Sequence, residues 1–497
     1  MKASMTSIPD SMKDALHRAA DIVRSSKHPL AISHIDADGI TAMAIVVFLL
    51  ERTNLQPIWK NIHQLNSETI LEVRDLVREH KPDLVIFSDL GTGQIRLIHE
   101  YIEPEPYVNH IIILDHHLPP NHSGLSEGPF KSDKILEINP SNHDLSGSYD
   151  VSGAGVSFLL AYTLSTENSN LAELAVVGAS GDLQAYYGKG FVGVNKEIIQ
   201  IGEENGFIRV DRDLTFFGIN TRPLAQLLEY ATDPYLPGIT GDRDACYRLY
   251  DELSIPLKDE MDRWRIWMDL SQDEKKKIVQ ALFNHILQFY DHPKVASGIV
   301  GNIITLPKRP ERTEMRSAKE FSTLLNACGR NRRAEVGVRI CLGDVDALRE
   351  GITLLQQHRA NLASALRRLE TNGYDETESM YIVNDPETPD TIIGIIIGMA
   401  QGSRIVPIDK PIIGVSTNTS NEGPRVKISG RARKSLVKRG LNLKEVFSTA
   451  SVIVNESAEK KVAEAGGHPM AAGAFVHEDY LDEFLEIVSA EIKRTVK

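Results

Sequence analysis

Short apolar runs at Ala31–His34, Leu84–Ser88, Ile111–Leu114 and Ile135–Ile138 are separated by helix-like segments such as Ile40–Glu51 and Ser67–Glu79. A shorter strand is expected near Ile58–Asn61, and a helix before the series at Asp10–Ser26, with Met12, Leu16, Ala19, Ile22 and Val23 on one face. Helical segments at Gly155–Leu164 and Leu171–Val177 follow it. Buried strands alternating with helices predict an α/β unit with a doubly wound, mostly parallel sheet, from about residue 20 to about residue 200.

The ends of these runs carry chemistry. Ala31–Thr41 reads AISHIDADGIT, and if its lead continues as a strand, His34, Asp36 and Asp38 point the same way. Asp89 follows the next apolar run, Asp115-His116-His117 the one after, and Asp182 sits in the small-residue turn Gly178–Leu183. A lone Asp after a strand is ordinarily a cap or turn residue, and adjacent loop histidines are more often incidental than ligands. Four such endings in one sheet unit are different, because each buried ionisable group would need its own partner. They fall at carboxyl ends, where open α/β sheets bind ligands. Imidazole and carboxylate without thiolate suit Mn²⁺ or Mg²⁺, with Co²⁺ or Zn²⁺ also compatible. So many ligands favour two divalent metal ions, and two ions ~3.5–4 Å apart clamp the oxygens of an in-line phosphoryl displacement. Phosphoester hydrolysis is the chemistry this predicts.

Composition narrows the setting. A chain of 497 residues exceeds one ordinary core. Its 42% hydrophobic and 25% charged residues are those of a globular protein, and no apolar run approaches a membrane span. Cys246, Cys328 and Cys341 have no CxxC spacing, which argues against a disulfide framework or a thiolate zinc site and predicts a reducing, cytoplasmic location. The middle of the chain changes texture, with helices at Leu224–Tyr230 and Gln272–Tyr290, a Pro/Gly turn at Asp233–Asp242, and Trp264 and Trp267 packing down a charged helix start. Lys308–Arg316 is basic and linker-like. From Phe321 a second α/β unit is expected: Val336–Leu342, a long helix Val345–Thr371, strands Met380–Val383, Ile412–Ser416, Val426–Ser429 and Ala472–Val476, and helices Thr391–Ser403 and Glu478–Thr495.

With Asp115-His116-His117 in place, the sequence resembles the DHH phosphoesterase superfamily. His34-Ile-Asp-Ala-Asp-Gly39, Asp89, Asp115–His117 and Asp182 stand as its four motifs in order. Gly466-Gly-His-Pro-Met-Ala-Ala-Gly473 and Ile428-Ser-Gly-Arg-Ala432 resemble signatures of its associated C-terminal domain, with Ala465 where the family often has the first of three glycines. Asp233–Gly238 and Asn326-Ala-Cys-Gly-Arg330 resemble archaeal RecJ-like single-strand exonucleases of the GINS-associated type. The resemblance implies a DHH domain over residues 1–200, a helical insert and linker over 201–320, and a smaller substrate-binding α/β domain over 321–497 facing the first across a cleft. It also implies that His34 and Asp36 hold one ion, that Asp38, His116 and Asp182 hold the other, and that Asp89 bridges them. Asp115 would orient His116, and His117 would contact the scissile phosphate or position the water. Arg431 of the Ser429-Gly-Arg431 strand and His468 would hold a substrate phosphate, with Gly466 and Gly467 admitting backbone.

Arg425–Arg439 contains seven basic residues and no acidic one, in a chain of net charge −13. Lys434–Arg439 alone is as readily a solvated helix face, whereas Arg431 and Arg433 sit beside a glycine, where fork-shaped donors grip phosphate. Lys308, Arg309, Arg312, Arg330, Arg332 and Arg333 extend a candidate phosphate track. An arginine-lined cleft suits a single strand of DNA or RNA. No aromatic stacking series is evident. The competing functions are hydrolysis of short oligonucleotides, cyclic dinucleotides or phosphoadenosine phosphate, and a replisome scaffold that binds GINS and the replicative helicase.

Overall fold

The computed structural model describes residues 6–119, 132–185, 190–231, 236–289, 296, 298–402, 405–417 and 424–495. The chain divides into two compact units, Met1–Leu355 and Gln356–Lys497.

In the first unit, strands β1 (Pro29–Ser33), β2 (Ile58–Asn61), β3 (Leu84–Ser88), β4 (His110–Leu114) and β5 (Ile135–Ile138) form a parallel sheet in the order β2-β1-β3-β4-β5. Residues of β1 and β3 are buried throughout, which explains their unbroken apolar sequence. Alternation splits them between two cores. Ala31, Ile86 and Ile112 pack with the helices Asp10–Ser25, Ala37–Arg52, Gly153–Leu164 and Ala172–Gly181. Leu30, Ile32, Val85, Phe87 and Ile113 pack with Thr69–His80 and Ile95–Tyr101 on the other face. The sheet is doubly wound, and its order reverses between β1 and β3, the switch point at which such sheets open a crevice.

The first core also contains Phe321, Leu324, Leu325, Val336, Val338 and Ile340. These belong to the helices Ala318–Arg330 and Ala334–Cys341, so the first unit extends well beyond residue 200 and takes in residues expected to open the second. Amphipathic periodicity shows that a helix has an apolar face without showing which core receives it. Lys308–Arg316 is folded, not a free linker: Leu306 beside it is fully buried, and Arg316 Nη1 donates to the carbonyls of Pro307 (2.7 Å) and Arg309 (2.8 Å).

Between these parts lies an insert with its own core, from Leu214 through Tyr250, Trp267 and Ile278 to Ile299. It is bordered by an antiparallel pair absent from the sequence expectation, β6 (Arg209–Leu214) and β7 (Val300–Thr305). Trp267 is fully buried and its indole donates to Asp213 Oδ1 (2.8 Å), whereas Trp264 is exposed. Of the expected turn at Asp233–Asp242, residues 233–235 lie outside the described residues.

The second unit is built on a six-stranded mixed sheet. Its strands are β8 (Asp375–Glu376), β9 (Tyr381–Asn384), β10 (Ile412–Ser416), β11 (Arg425–Arg431), β12 (Ala463–His468) and β13 (Ala471–His477), in the order β12-β13-β11-β10-β9-β8. Val426, Ile428, Ala472, Ala474 and Val476 face a core closed by the helices Leu443–Ser457 and Leu481–Thr495. The helix Asp390–Gly402 packs on the opposite face, where Ile393 and Ile397 close over Gly414 of β10. No helix among the described residues is long and apolar enough to cross a membrane.

Candidate metal centre

The loop after β1 does not continue as a strand. β1 ends at Ser33, Asp36 is the N-cap of the helix Ala37–Arg52 with Oδ1 accepting from Gly39 N (3.0 Å), and Asp38 lies in the first helical turn. A capping aspartate satisfies an orphan amide of the helix, and this overrides the alternation expected of residues 34, 36 and 38. The three side chains still enter one region. His34 Nδ1 lies 3.0 Å from Asp36 Oδ2 and 3.7 Å from Asp89 Oδ2.

Asp38 is fully buried at the amino end of the helix Gly153–Leu164, accepting from Gly153 N (2.7 Å) and Ala154 N (3.1 Å). The positive end of a helix is a suitable seat for a carboxylate. Asp182 has the opposite position, as C-cap of Ala172–Gly181, where the dipole disfavours negative charge. The small residues of its turn serve packing: a Cβ at Gly178 would meet Asp38 Oδ1 at 2.3 Å, and one at Gly181 would meet Ala37 Cβ at 2.8 Å.

Asp89 stands at the centre. Its backbone is left-handed (φ 58°), and its amide donates to the Leu114 carbonyl (2.8 Å). Such a conformation in a non-glycine residue marks a site where the surroundings over-determine the backbone. His116 Nε2 lies 3.2 Å from Asp89 Oδ1, 3.2 Å from Asp182 Oδ2 and 3.6 Å from Asp38 Oδ2. The other ring nitrogen of His116 donates to the Gly147 carbonyl (2.6 Å), so that in the neutral ring Nε2 is the lone-pair nitrogen. This departs from the role expected of Asp115. That carboxylate accepts from the backbone amides of His116 (2.7 Å) and Thr92 (2.9 Å) and from His117 Nδ1 (2.7 Å), so it orients the His117 ring.

The electrostatics are those of a cluster short of positive charge. Burial and then the charges of Asp89 and Asp182 push Asp38 well above the usual carboxylate range, and burial pushes Asp182 up to about 7. His34 and His116 are driven well above an ordinary imidazole by their carboxylate neighbours, against the opposing effect of burial. Asp36 is held far down despite its burial, by His34, the Gly39 amide and the more distant Arg330. Asp115 is likewise held far down, by His117 and the Thr92 amide.

The donor set fits divalent cations. Both carboxylate oxygens of Asp89 and Nε2 of His116 are buried without a hydrogen-bond partner, a condition native structures rarely tolerate without an ion or water. Three groups bring ligand atoms within 4.8 Å of one another: His34–Asp36–Asp89, Asp38–His116–Asp182 and Asp89–His116–His117. Carboxylate and imidazole are the ligands of hard and borderline divalent metals.

Sequence reasoning missed several supporting groups. Gly147 is a backbone acceptor with no side chain to betray it. Asn326 Oδ1 accepts from Ala37 N (3.0 Å), and Gly329 passes so close that a Cβ would sit 1.9 Å from the Ile35 carbonyl oxygen. The Asn326–Arg330 segment thus buttresses the ligand loop. Three arginines of the expected phosphate track are committed to ion pairs: Arg309 with Glu173, Arg312 with Asp269, and Arg333 with Glu335 and Glu350 (each 2.5 Å).

In the second unit, Ser429 and Arg431 lie on β11, and Gly466, Gly467 and His468 on β12, two strands joined through β13. A Cβ at Gly394 would meet Arg431 Nη2 at 2.7 Å, so this glycine makes room for the guanidinium. Gly467 has φ 133°, and a Cβ there would sit 2.5 Å from the Ala471 carbonyl oxygen; its glycine serves its own turn. Arg433 lies beyond the strand and donates to the Gln401 carbonyl (2.6 Å), a bond within the chain and not the open fork expected.

Three family models match: the DHH family N-terminal domain over residues 30–179, the DHH-CID domain over 216–296 and the DHHA1 domain over 379–494. The chain is thus built of DHH-superfamily domains over these three segments, and its fold is RecJ-like. An uncharacterized protein of Methanocaldococcus jannaschii is 29% identical over 470 residues, 93% of this chain and 94% of its own. RecJ of Thermus thermophilus in complex with Mn²⁺ superposes with a TM-score of 0.57 at 18% identity; all of this chain is covered, and it spans 57% of that RecJ. A manganese-bound exonuclease RecJ gives 0.56 at 19% identity, covering 99% and 97% of the two chains. CDC45 of Entamoeba histolytica gives 0.62 at 13% identity, covering 97% and 99%.

Proposed function

We propose that the chain is a metal-dependent phosphodiesterase, a RecJ-like exonuclease of single-stranded DNA or RNA acting in replication or repair. The supporting observation is Asp89. Its two oxygens face different ligand groups, Oδ2 toward His34 and Oδ1 toward His116, in a residue 2% exposed whose oxygens have no hydrogen bond. His34 and Asp36 would hold one divalent cation, Asp38, His116 and Asp182 a second, with Asp89 shared. Mn²⁺ is the cation we favour, with Mg²⁺ or Co²⁺ compatible with the same ligands. When bound, such ions supply Lewis-acid activation of a phosphate and ionisation of water.

The chain's own residues supply the rest. Asp115 fixes the His117 ring through Nδ1, and the half-exposed His117 side chain presents its other nitrogen to a scissile phosphate. Gly147 holds the His116 tautomer. Ser429, Arg431, Gly466, Gly467 and His468 would receive a substrate phosphate and its backbone on the second unit. Binding to GINS and the replicative helicase is a second reading, in which the chain acts as a scaffold; the intact set of candidate ligands favours catalysis.

End-labelled DNA and RNA strands incubated with Mn²⁺ test the proposal. Progressive shortening of long single strands is expected, and Asp89→Ala should abolish it. Near-normal turnover by Asp89→Ala would refute the shared-ligand assignment. Cleavage confined to di- and trinucleotides would replace the exonuclease with a small-substrate hydrolase.

A further inference from the structure

One face of the second unit's sheet is closed by helices and the other is partly open, and the open part has an ordered composition. Cross-strand register arranges it in rows. Arg431 pairs with Ala471, and Ala471 with His468; Ser429 pairs with Gly473, and Gly473 with Gly466; Lys427 pairs with Phe475, and Phe475 with Glu464; Arg425 pairs with His477. Alternate residues share a face, so these rows lie opposite the buried Val426, Ile428, Ala474 and Val476.

The rows differ in kind. The first holds the guanidinium and imidazole proposed above to take a phosphate. In the second, Ser429 is buried against Gly394, and Gly473 and Gly466 leave a floor without bulk: a Cβ at Gly466 would meet nothing within 4 Å, and the nearest atom to one at Gly473 is the Lys427 ammonium at 3.1 Å. The third presents a half-buried aromatic ring, with Lys427 Nζ 4.1 Å from the centroid of Phe475. Adjacent rows are two residues apart, about 7 Å, so the ring lies about 13 Å along the strands from the phosphate row. That matches the reach of an extended nucleotide chain laid across the glycine floor.

We propose that Phe475 and Lys427 form a nucleobase-stacking subsite for a single strand whose phosphate is held at the Arg431–His468 row; the inference rests on the nuclease reading. A base plane lies on the Phe475 ring, and the Lys427 ammonium, which sits in a half-buried cation–π contact with that ring, reaches the phosphate of that nucleotide. Glu464, beside Phe475 in the same row and paired with Lys461 at 3.4 Å, disfavours a phosphate directly over the ring and leaves that place to a base. The occupant is nucleic acid because the bordering segment Arg425–Arg439 carries seven cations and no carboxylate. Stacking tolerates any base, as an exonuclease requires.

The test measures binding of a fluorescein-labelled oligothymidylate, and of its abasic counterpart with the same backbone, to the full chain in EDTA. The unsubstituted chain is compared with Phe475→Leu, which keeps an apolar side chain, and with Phe475→Tyr. Phe475→Leu should weaken oligothymidylate binding by roughly tenfold, the scale of one lost base stack. Phe475→Tyr should retain it, and all three chains should bind the abasic strand alike. Unaltered affinity in Phe475→Leu overturns the subsite while leaving the nuclease reading intact. So does an equal loss on the abasic strand, which would make Phe475 a packing residue. Failure of the unsubstituted chain to bind or degrade either strand overturns the nuclease reading, and the subsite with it.

Discussion

Asp182 offers a test of the centre that needs no substrate. Without a cation its carboxyl is pushed up to about 7 from an ordinary 3.8, chiefly by burial and, against the pull of His116, by Asp36 and Asp89. Fully felt, ionising such a group above pH 7 costs the folded state about 4 kcal/mol. The side chain is 24% exposed, solvent screens part of the field, and about 2 kcal/mol is the expected penalty. Asp182→Asn removes it, so in EDTA at pH 8 the variant should melt about 2–3 °C above the unsubstituted chain, the shift expected for a unit of this size. The folded-state value is raised, so the penalty is absent below the ordinary value near 3.8, grows as pH rises toward 7 and is constant above. The advantage of Asp182→Asn should therefore shrink between pH 8 and pH 5. With saturating Mn²⁺ the order should invert, because a ligand that binds only the folded chain stabilises by mass action and the variant has lost one of its ligands. Differential scanning fluorimetry reads all three conditions. A variant that melts lower in EDTA at pH 8, or an advantage independent of pH, would refute the reasoning that this cluster is held together for a cation.

Other expected outcomes follow from single contacts. Gly147→Ala places a Cβ 1.7 Å from the His116 carbonyl oxygen and disturbs the acceptor that orients the imidazole; calorimetric Mn²⁺ affinity should fall by about 10–100-fold, and unchanged affinity would remove Gly147 from the site. Arg431→Ala should weaken binding of a single strand and reduce the slope of log affinity against log salt by about 1, measured by anisotropy across a salt titration; an unchanged slope would take Arg431 off the phosphate. Gly467→Ala forces a side chain into a left-handed turn against the Ala471 carbonyl and should destabilise the second unit by about 1–3 kcal/mol in urea unfolding, whereas a neutral result would mean that the β12–β13 turn relaxes freely.

The apolar strands of the first sheet were legible because strands buried on both faces leave long unmixed runs, and Asp89, Asp115 and His116 were legible because they end those runs. The local form of His34–Asp38 was not: alternation predicted a strand, and capping by Asp36 starts a helix instead. Gly147 acts through a carbonyl, and the close approach to the His116 backbone that demands a glycine there is visible only in the fold. β12 escaped because Ala-Glu-Ala-Gly-Gly-His has no strand propensity of its own and owes its form to pairing with β13. The basic segment Lys308–Arg316 suggested a phosphate track, but charge alone does not say where a guanidinium's partner lies; Glu173 and Asp269 supply it from far away in sequence. Phe475 went unassigned because one aromatic among small residues is an ordinary strand residue until the register places it on the open face.

The contact between Ala37 and Asn326 has a consequence for the birth of the molecule. The ligand loop and the acids Asp36, Asp38, Asp89 and Asp182 emerge early, but the helix that seats the loop's amide and presses on the Ile35 carbonyl lies nearly 300 residues later, beyond the whole insert. At ribosomal speeds of about 5–20 residues per second, the stretch from Asp182 to Asn326 takes on the order of ten seconds to appear. During that interval the nascent sheet carries its crowd of carboxylates without its final buttress. A fragment ending near residue 200 should therefore remain loosely packed and aggregation-prone, and the insert must fold while the unit it interrupts is still waiting to close.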